Sequence, residues 1–286
     1  MGQRRGFATL VRILHMFFRM HGYLIRGTNP FDVMLGTRPL ARIHIGHWHQ
    51  LKPHYVPYKE IAWMVTEGRI PRYKKPVLRD FTYLVGTSKY VKRKCEEIDL
   101  QCLVIYPGVN TDFFKPMDVP KLYDVVSVGI HEGSNDDRKF MKYVQRVCFP
   151  FSVHIQSRST APVEALPLLY NYARVYLSLS ACEGFNLPAL EAMACGIPVV
   201  FNDAPATNEF AVGIAVPPKE VREVIVGGST RLYFEWHVPD LQAIRTALHD
   251  LLRSQKKIQQ LSRQARAKAQ QMDFRKTLSE FLELIR

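Results

Sequence analysis

The sequence predicts an α/β fold of two domains, the first with strands of an α/β layer and the second a parallel sheet covered by helices. Three observations carry this. Short, continuous apolar runs alternate with helical segments along most of the chain, the pattern of strands buried on both faces. The chain has 286 residues, 47% of them hydrophobic, enough to bury a core in two modest domains or one large one. Tyr106-Pro107-Gly108 ends one apolar run, and residues 110–116 after it read as a linker.

Residues 7–25 read as a basic helix. Arg5, Arg12, Arg19 and Arg26 recur every seven residues, while Leu10, Val11, Leu14, Phe17 and Phe18 occupy other faces. Such a helix can lie on an anionic lipid surface, or pack on its own domain with its arginines in water. Thr28-Asn29-Pro30 breaks it. Apolar runs at 41–45, 61–65, 83–85 and 103–105 read as strands, with a helix at 89–97. After the linker, strands at 124–129, 151–155, 175–179 and 197–201 alternate with helices at 138–147, 164–173 and 187–194; from 241 onward the pattern is helical. The expected organisation is an N-terminal domain over 1–112, a second domain over 113–270 and a final helix over 271–286 that packs back on the first domain.

The formal net charge is +13, and residues 1–114 supply +10 of it, with 18 Lys/Arg against 8 Asp/Glu. An anionic partner near the N-terminal half is therefore expected, with residues 5–26 the candidate membrane surface, although a solvated basic surface gives the same count. No basic motif interleaved with aromatics of a known nucleic-acid fold is present, so nucleic acid is not expected. Cysteines 95, 102, 148, 182 and 195 are odd in number and lack C-x-x-C spacing. They read as reduced thiols of a cytoplasmic protein, with peripheral contact at a membrane allowed and no apolar run of about 18 residues to span one.

The chemistry concentrates in Ser180-Ala-Cys-Glu-Gly-Phe-Asn-Leu-Pro-Ala-Leu-Glu-Ala-Met-Ala-Cys-Gly-Ile-Pro-Val-Val200. Glu183 and Glu191 stand eight positions apart, and at roughly 100° per residue one straight helix does not align them. A loop entering a helix does: Gly184 breaks regularity, Asn186 is a good N-cap and Pro188 fits the first turn. Glu183 then sits on the loop and Glu191 in the early turns, on either side of free backbone N–H groups that favour an anion. The combination suits a ligand with phosphates and hydroxyls, such as a nucleotide-sugar.

These residues resemble glycosyltransferase family 4, retaining enzymes of the GT-B fold. Glu183-Gly-Phe-Asn-Leu-Pro188 with Glu191-Ala-Met-Ala-Cys-Gly-Ile-Pro-Val-Val200 looks like the family's E-x7-E signature, and Ile105-Tyr-Pro-Gly-Val-Asn-Thr-Asp-Phe-Phe-Lys-Pro116 like its interdomain segment. Val85-Gly-Thr-Ser-Lys-Tyr-Val-Lys92 resembles the segment before it. The resemblance implies two Rossmann-like domains facing a cleft, the N-terminal one reduced, with its first βαβ unit and glycine-rich loop missing. It implies transfer of a sugar from a nucleotide diphosphate sugar to a glycan, lipid-linked or protein acceptor with retention of configuration. Glu183 would lie near the anomeric centre and Glu191 on the ribose hydroxyls. Gly184, Phe185, Asn186 and Leu187 would line the diphosphate and sugar. The family's Gly-Arg reads Gly129-Ile130 here, so Lys139 is expected to serve the diphosphate, with Arg138 second.

No cofactor or metal is expected for transfer, since Asp136-Asp137 is not a D-x-D. His44, His47, His49 and His54 have conceivable zinc spacing but no neighbouring acidic ligand and no H-E-x-x-H, so cleft lining or packing is the expectation. His44, His47 and Glu67 are the acceptor-side candidates; Glu67 stands where the family carries a histidine. The competing readings are a nucleotide-sugar-binding protein without catalysis, a basic nucleic-acid-binding protein and a GT-B-fold sugar epimerase.

Overall fold

The computed structural model describes residues 3–26, 32–35, 40–129, 138–157, 161–227 and 231–286. The Thr28-Asn29-Pro30 breaker, Ile130, Asp136-Asp137 and the side chains of Arg5 and Arg26 lie outside the described residues.

The N-terminal half opens with α1 (Gln3–Met20), followed by β1 (Ile25–Arg26), β2 (Asp32–Leu35), β3 (Ala41–His47), β4 (Lys59–Val65), α2 (Lys75–Arg79), β5 (Tyr83–Gly86), α3 (Lys89–Glu96) and β6 (Leu103–Val104). The six strands form one sheet in sequence order, parallel from β3 to β6 and antiparallel through β1 and β2. Strands β1 and β2 fall where no apolar run marked them. Helix α1 turns Leu10, Ile13, Leu14, Phe17 and Phe18 into the core beneath Ile43, Ile45, Ile61 and Trp63, and leaves Arg12 and Arg19 exposed. The apolar face is thus used in domain packing.

The second sheet contains β7 (Tyr123–Gly129), β8 (Val153–Ser157), β9 (Ala173–Ser178), β10 (Val199–Asn202) and β11 (Gly213–Val216), all parallel, in the order β11-β10-β9-β7-β8. Helices α4 (Val144–Cys148), α5 (Leu166–Asn171) and α6 (Leu187–Ala194) lie between these strands. The helix expected from 138 begins later: residues 138–139 form a turn, a 3-10 turn covers Met141–Tyr143, and α4 follows. Phe140 at φ 51° is the left-handed break that delays it. The 164–173 helix likewise splits into a 3-10 turn and the shorter α5, whose first turn contains Pro167.

The next two strands are not among the expected elements. β12 (Pro218–Val226) and β13 (Leu232–Pro239) form an antiparallel hairpin outside both sheets. Its β13 strand has period two: Phe234 and Trp236 bury against Ala181 and Cys182 of the second half. Glu235 faces the first half, where Lys94 Nζ pairs with it at 2.8 Å. The free edge of β13 is satisfied from both sides, Glu235 N–H donating to Glu67 O (2.9 Å) and His237 N–H to Ala181 O (2.8 Å).

The remaining helices are α7 (Leu241–Leu252), α8 (Gln255–Gln271), α9 (Phe274–Thr277) and α10 (Glu280–Ile285). Phe274, Leu278, Phe281 and Ile285 share one cluster with α1 and the first sheet. The chain therefore passes between the halves twice, and the two passages are pinned together. Val109 N–H donates to Met272 O and Phe274 N–H to Val109 O, both at 3.0 Å. Thr111 donates to Asp273 Oδ2 through its backbone N–H (3.2 Å) and its hydroxyl (2.5 Å). Gly108, at φ 70°, permits the approach; a Cβ there would meet Phe274 Cα at 2.7 Å.

Truncating Phe281, fully buried against Trp63 and Phe18, should cost about 3–5 kcal/mol in urea unfolding of Phe281→Ala. Burial works against charge on Asp273, but donors from Arg275 and Thr111 outweigh it and hold the carboxyl at about 2, below its usual 3.8. Its stabilisation is fully present above about pH 4 and is lost as pH falls through about 2. Acid unfolding of Asp273→Asn should accordingly depend less on pH across that window than the parent protein.

Candidate active site

In an open parallel sheet, ligands bind at the carboxyl ends of the strands where the strand order reverses. Here the reversal lies between β7 and β9. Beyond their carboxyl ends stand the turn at 138–139 and the loop 179–186, so Lys139 and Glu183 come from the two sides of the switch point. They form an ion pair, Glu183 buried and Lys139 half-buried, and Ser180 Oγ donates to Glu183 Oε1 at 2.7 Å. The loop is locked by Ala181 N–H donating to Arg138 O (2.7 Å) and by Asn202 Nδ2 donating to Ser180 O (3.0 Å).

Helix α6 starts as expected, with Pro188 in its first turn, but Asn186 does not cap it by side chain. Asn186 sits at φ 75° and its Nδ2 donates to Ser178 Oγ (3.2 Å) and Thr207 Oγ1 (3.0 Å). The amide ties the loop to the sheet and leaves the helix N-terminus to other acceptors. Phe185 turns inward and stacks on Phe210 with ring centres 4.7 Å apart, so its side chain is core and only its backbone can serve a ligand. Glu191 lies one turn into α6, buried, and accepts from Tyr170 Oη at 2.9 Å. It borders a cavity of about 250 Å3 that Leu187, Asn110, Thr9 and Arg12 also line. The two glutamates therefore address different spaces around the start of one helix.

The first half supplies the opposite wall. Glu67 follows β4 and is buried between a guanidinium and an imidazole: Arg138 Nη1 lies 2.6 Å from its Oε1, and His47 Nε2 3.3 Å from its Oε2. Burial opposes the charge, but the Arg138 guanidinium and His47 outweigh it and hold the Glu67 carboxyl well below the usual carboxylate range. His49 donates to or accepts from His47 at 2.8 Å, and burial, with His47 and Lys74 nearby, lowers it to about 4. Gly184 meets this wall directly: its carbonyl accepts from Thr87 Oγ1 (3.1 Å), and a Cβ would collide with Val65.

The geometry brings together Lys139, Glu183, Gly184, Arg138, Glu67 and His47. It does not bring His44 into this group; His44 packs with Glu60, His54 and Phe81. The expectation that His44 lines the cleft is corrected by its place in the middle of β3, three residues before the strand's carboxyl end. The acidic neighbour that the local sequence lacked is Glu60, brought beside His44 by pairing of β3 with β4. Sequence reading also missed Ser180, Thr87, Tyr170 and Glu235. Ser180 lies inside the signature and was open to notice; the others are distant in sequence and meet the site only through folding.

Residues 124–231 match the family of glycosyl transferases group 1. The O-antigen chain mannosyltransferase B of Escherichia coli is 44% identical over 62 residues, covering 21% of this chain and 16% of that protein. ORF315 of Acidianus bottle-shaped virus, provisionally named a glycosyltransferase, is 30% identical over 188 residues, covering 60% of this chain and 56% of its own. The curated relatives are thus matched over a sixth to just over half of their length. Among solved structures, sucrose-phosphate synthase from Thermosynechococcus elongatus superposes with a TM-score of 0.64 at 16% identity, over 85% of this chain and 72% of that one. Anabaena HepE, solved with UDP, gives 0.61 at 13% identity, over 80% and 72%. The fold is GT-B, two Rossmann-like α/β domains, and the chain is similar to glycosyltransferases of group 1. Among the described residues no helix is long and apolar enough to cross a membrane.

A methyl group at position 184 must push the loop off β4. Gly184→Ala should destabilise the protein by about 1–3 kcal/mol, read as a lower melting temperature.

Proposed function

We propose that this protein is a retaining glycosyltransferase that moves a hexosyl group from a nucleotide diphosphate sugar to an acceptor hydroxyl. The observation that carries the reading is the Lys139–Glu183 ion pair at the switch point, beside the N-terminus of α6. A diphosphate entering there competes with Glu183 for Lys139 and meets the backbone N–H groups of α6, a fixed positive environment for the leaving group. Glu183, once released, faces the sugar and tolerates positive charge developing at the anomeric carbon. Glu191, opening on the neighbouring cavity, accepts from the ribose hydroxyls.

The bond from the anomeric carbon to the phosphate oxygen breaks and the diphosphate keeps the electron pair. The acceptor oxygen bonds to the same face of that carbon, and its proton passes to the leaving phosphate. Glu67 is a poor proton acceptor while Arg138 and His47 hold its charge, which supports this route over a Glu67 base. Glu67 and Arg138 instead order the acceptor-side wall, with His47 against them. On this reading no metal or cofactor takes part. The acceptor is a glycan, a lipid-linked sugar or a protein. Lipid contact by α1 would use its exposed Arg12, Met16, Arg19 and Met20. All five cysteines are buried thiols, which suits a reducing cytoplasm.

The test is transfer from labelled UDP-, GDP- and ADP-sugars, after a thermal-shift screen for the donor. A donor at a hundred times its Kd should stabilise the protein by about 2.7 kcal/mol. Glu183→Ala and Lys139→Ala should each lower transfer by about a hundredfold or more while the fold persists, and the product's anomeric coupling by NMR should match the donor's. Full activity in both variants, or binding without turnover, would overturn the assignment; the latter outcome favours a donor-binding protein.

A further inference from the structure

The histidine-rich strand β3 carries an arrangement that the proposed transfer does not use. His44 Nε2 lies 3.2 Å from Glu60 Oε1, and His54 Nδ1 lies 3.3 Å from the same oxygen. All three atoms fall within 4.8 Å of one another. His44 and Glu60 are buried, whereas the His54 side chain is 48% exposed. The two imidazole rings stack side by side, centres 5.1 Å apart and 17° from parallel. Glu60 Oε2 accepts from the His54 backbone N–H, which turns Oε1 toward the two rings.

We propose that His44, His54 and Glu60 bind a divalent first-row transition metal, Zn2+ being the ion that fits the donor set. Two imidazole nitrogens and one carboxylate oxygen are a three-ligand set open to a fourth, solvent position. Bonds of about 2.0–2.1 Å in a tetrahedron place neighbouring donor atoms about 3.4 Å apart. The two donor separations at Oε1 already stand close to that value, so the ion enters with little movement of the buried residues. The exposed His54 ring supplies the entry path.

The fold gives the ion something to do. Parallel strands β3 and β4 are neighbours, yet the connection 48–58 between them contains no helix. Parallel neighbours usually rely on a packed helical crossover. Here Trp48 and Leu51 bury the start of the loop, while its later part is held by the His54 N–H on Glu60 and the Tyr55 hydroxyl donating to Asp80 Oδ2 at 2.8 Å. A metal joining His54 to His44 and Glu60 cross-links the loop to both strands, and so steadies Trp48 and His49 at its start. Arg42 Nη1, 3.9 Å from Glu60 Oε1, is a competing cation that the ion must tolerate. The ion would be structural and lie apart from the cleft group of His47, Glu67 and Arg138.

The experiment is calorimetric titration of the chelator-treated, full chain with ZnCl2, with Co2+ as the spectroscopic probe. About one equivalent should bind and raise the melting temperature, and Co2+ should give the intense visible bands of tetrahedral coordination. His54→Ala, which removes an exposed ring, should weaken Zn2+ binding at least about tenfold. His49→Ala, outside the cluster, should leave it unchanged. Glu60→Gln should behave like His54→Ala. Equal Zn2+ affinity in the parent protein and His54→Ala, or no binding by the parent protein, overturns the proposal.

Discussion

The two passages of the chain between the halves, held side by side at Val109, Thr111 and Asp273, are the constraint on which the rest depends. Neither half carries all of the charged groups gathered at the cleft. Glu183, Lys139 and α6 belong to one wall, Glu67 and His47 to the other. Their separation is set by how the two sheets are joined. A single connection would act as a hinge with one strand of freedom; two paired connections limit the relative motion of the walls. The second passage also delivers α9 and α10 to the core of the first half, so burial of Phe274, Leu278 and Phe281 works for the same geometry.

Within the cleft, charge is matched across the walls. Arg138 of the second half neutralises Glu67 of the first, and Lys139, its neighbour in sequence, neutralises Glu183 of its own half. Buried charges left without partners are costly, so each pair restrains the loop that carries it. The turn at 138–139 thus reads both walls at once. The β12–β13 hairpin adds a third restraint: a strand has two faces, and β13 gives Phe234 and Trp236 to one half and Glu235 to the other. Donors from His237 and Lys94, against the cost of burial, keep the Glu235 carboxyl at about 2, so this link stays charged at neutral pH.

Much of the architecture was legible because its signals are local. The strands at 41, 61, 83, 124 and 175 are runs of apolar residues long enough to cross a buried sheet, and α6 announces itself by Gly184 and Pro188. Boundaries failed where backbone strain intervened, as at Phe140, whose left-handed conformation moves α4 beyond Arg138 and Lys139. The hairpin has a local signal too, since 221–226 and 232–238 are rich in β-formers around Gly227-Gly228, but its place outside both sheets is set by packing.

What the sequence by itself determined is the local grouping of charged residues around the start of α6. Glu183, Glu191 and the entry to α6 lie within a dozen residues, and spacing alone distributes them around a helix start. Only the tertiary structure decided who their partners are. Glu67 lies 71 residues from Arg138, Tyr170 is 21 from Glu191, and Glu60 is 16 from His44. Sheet pairing and domain packing make those neighbours, and an ion pair or hydrogen bond acts over a few ångströms in space whatever the distance along the chain.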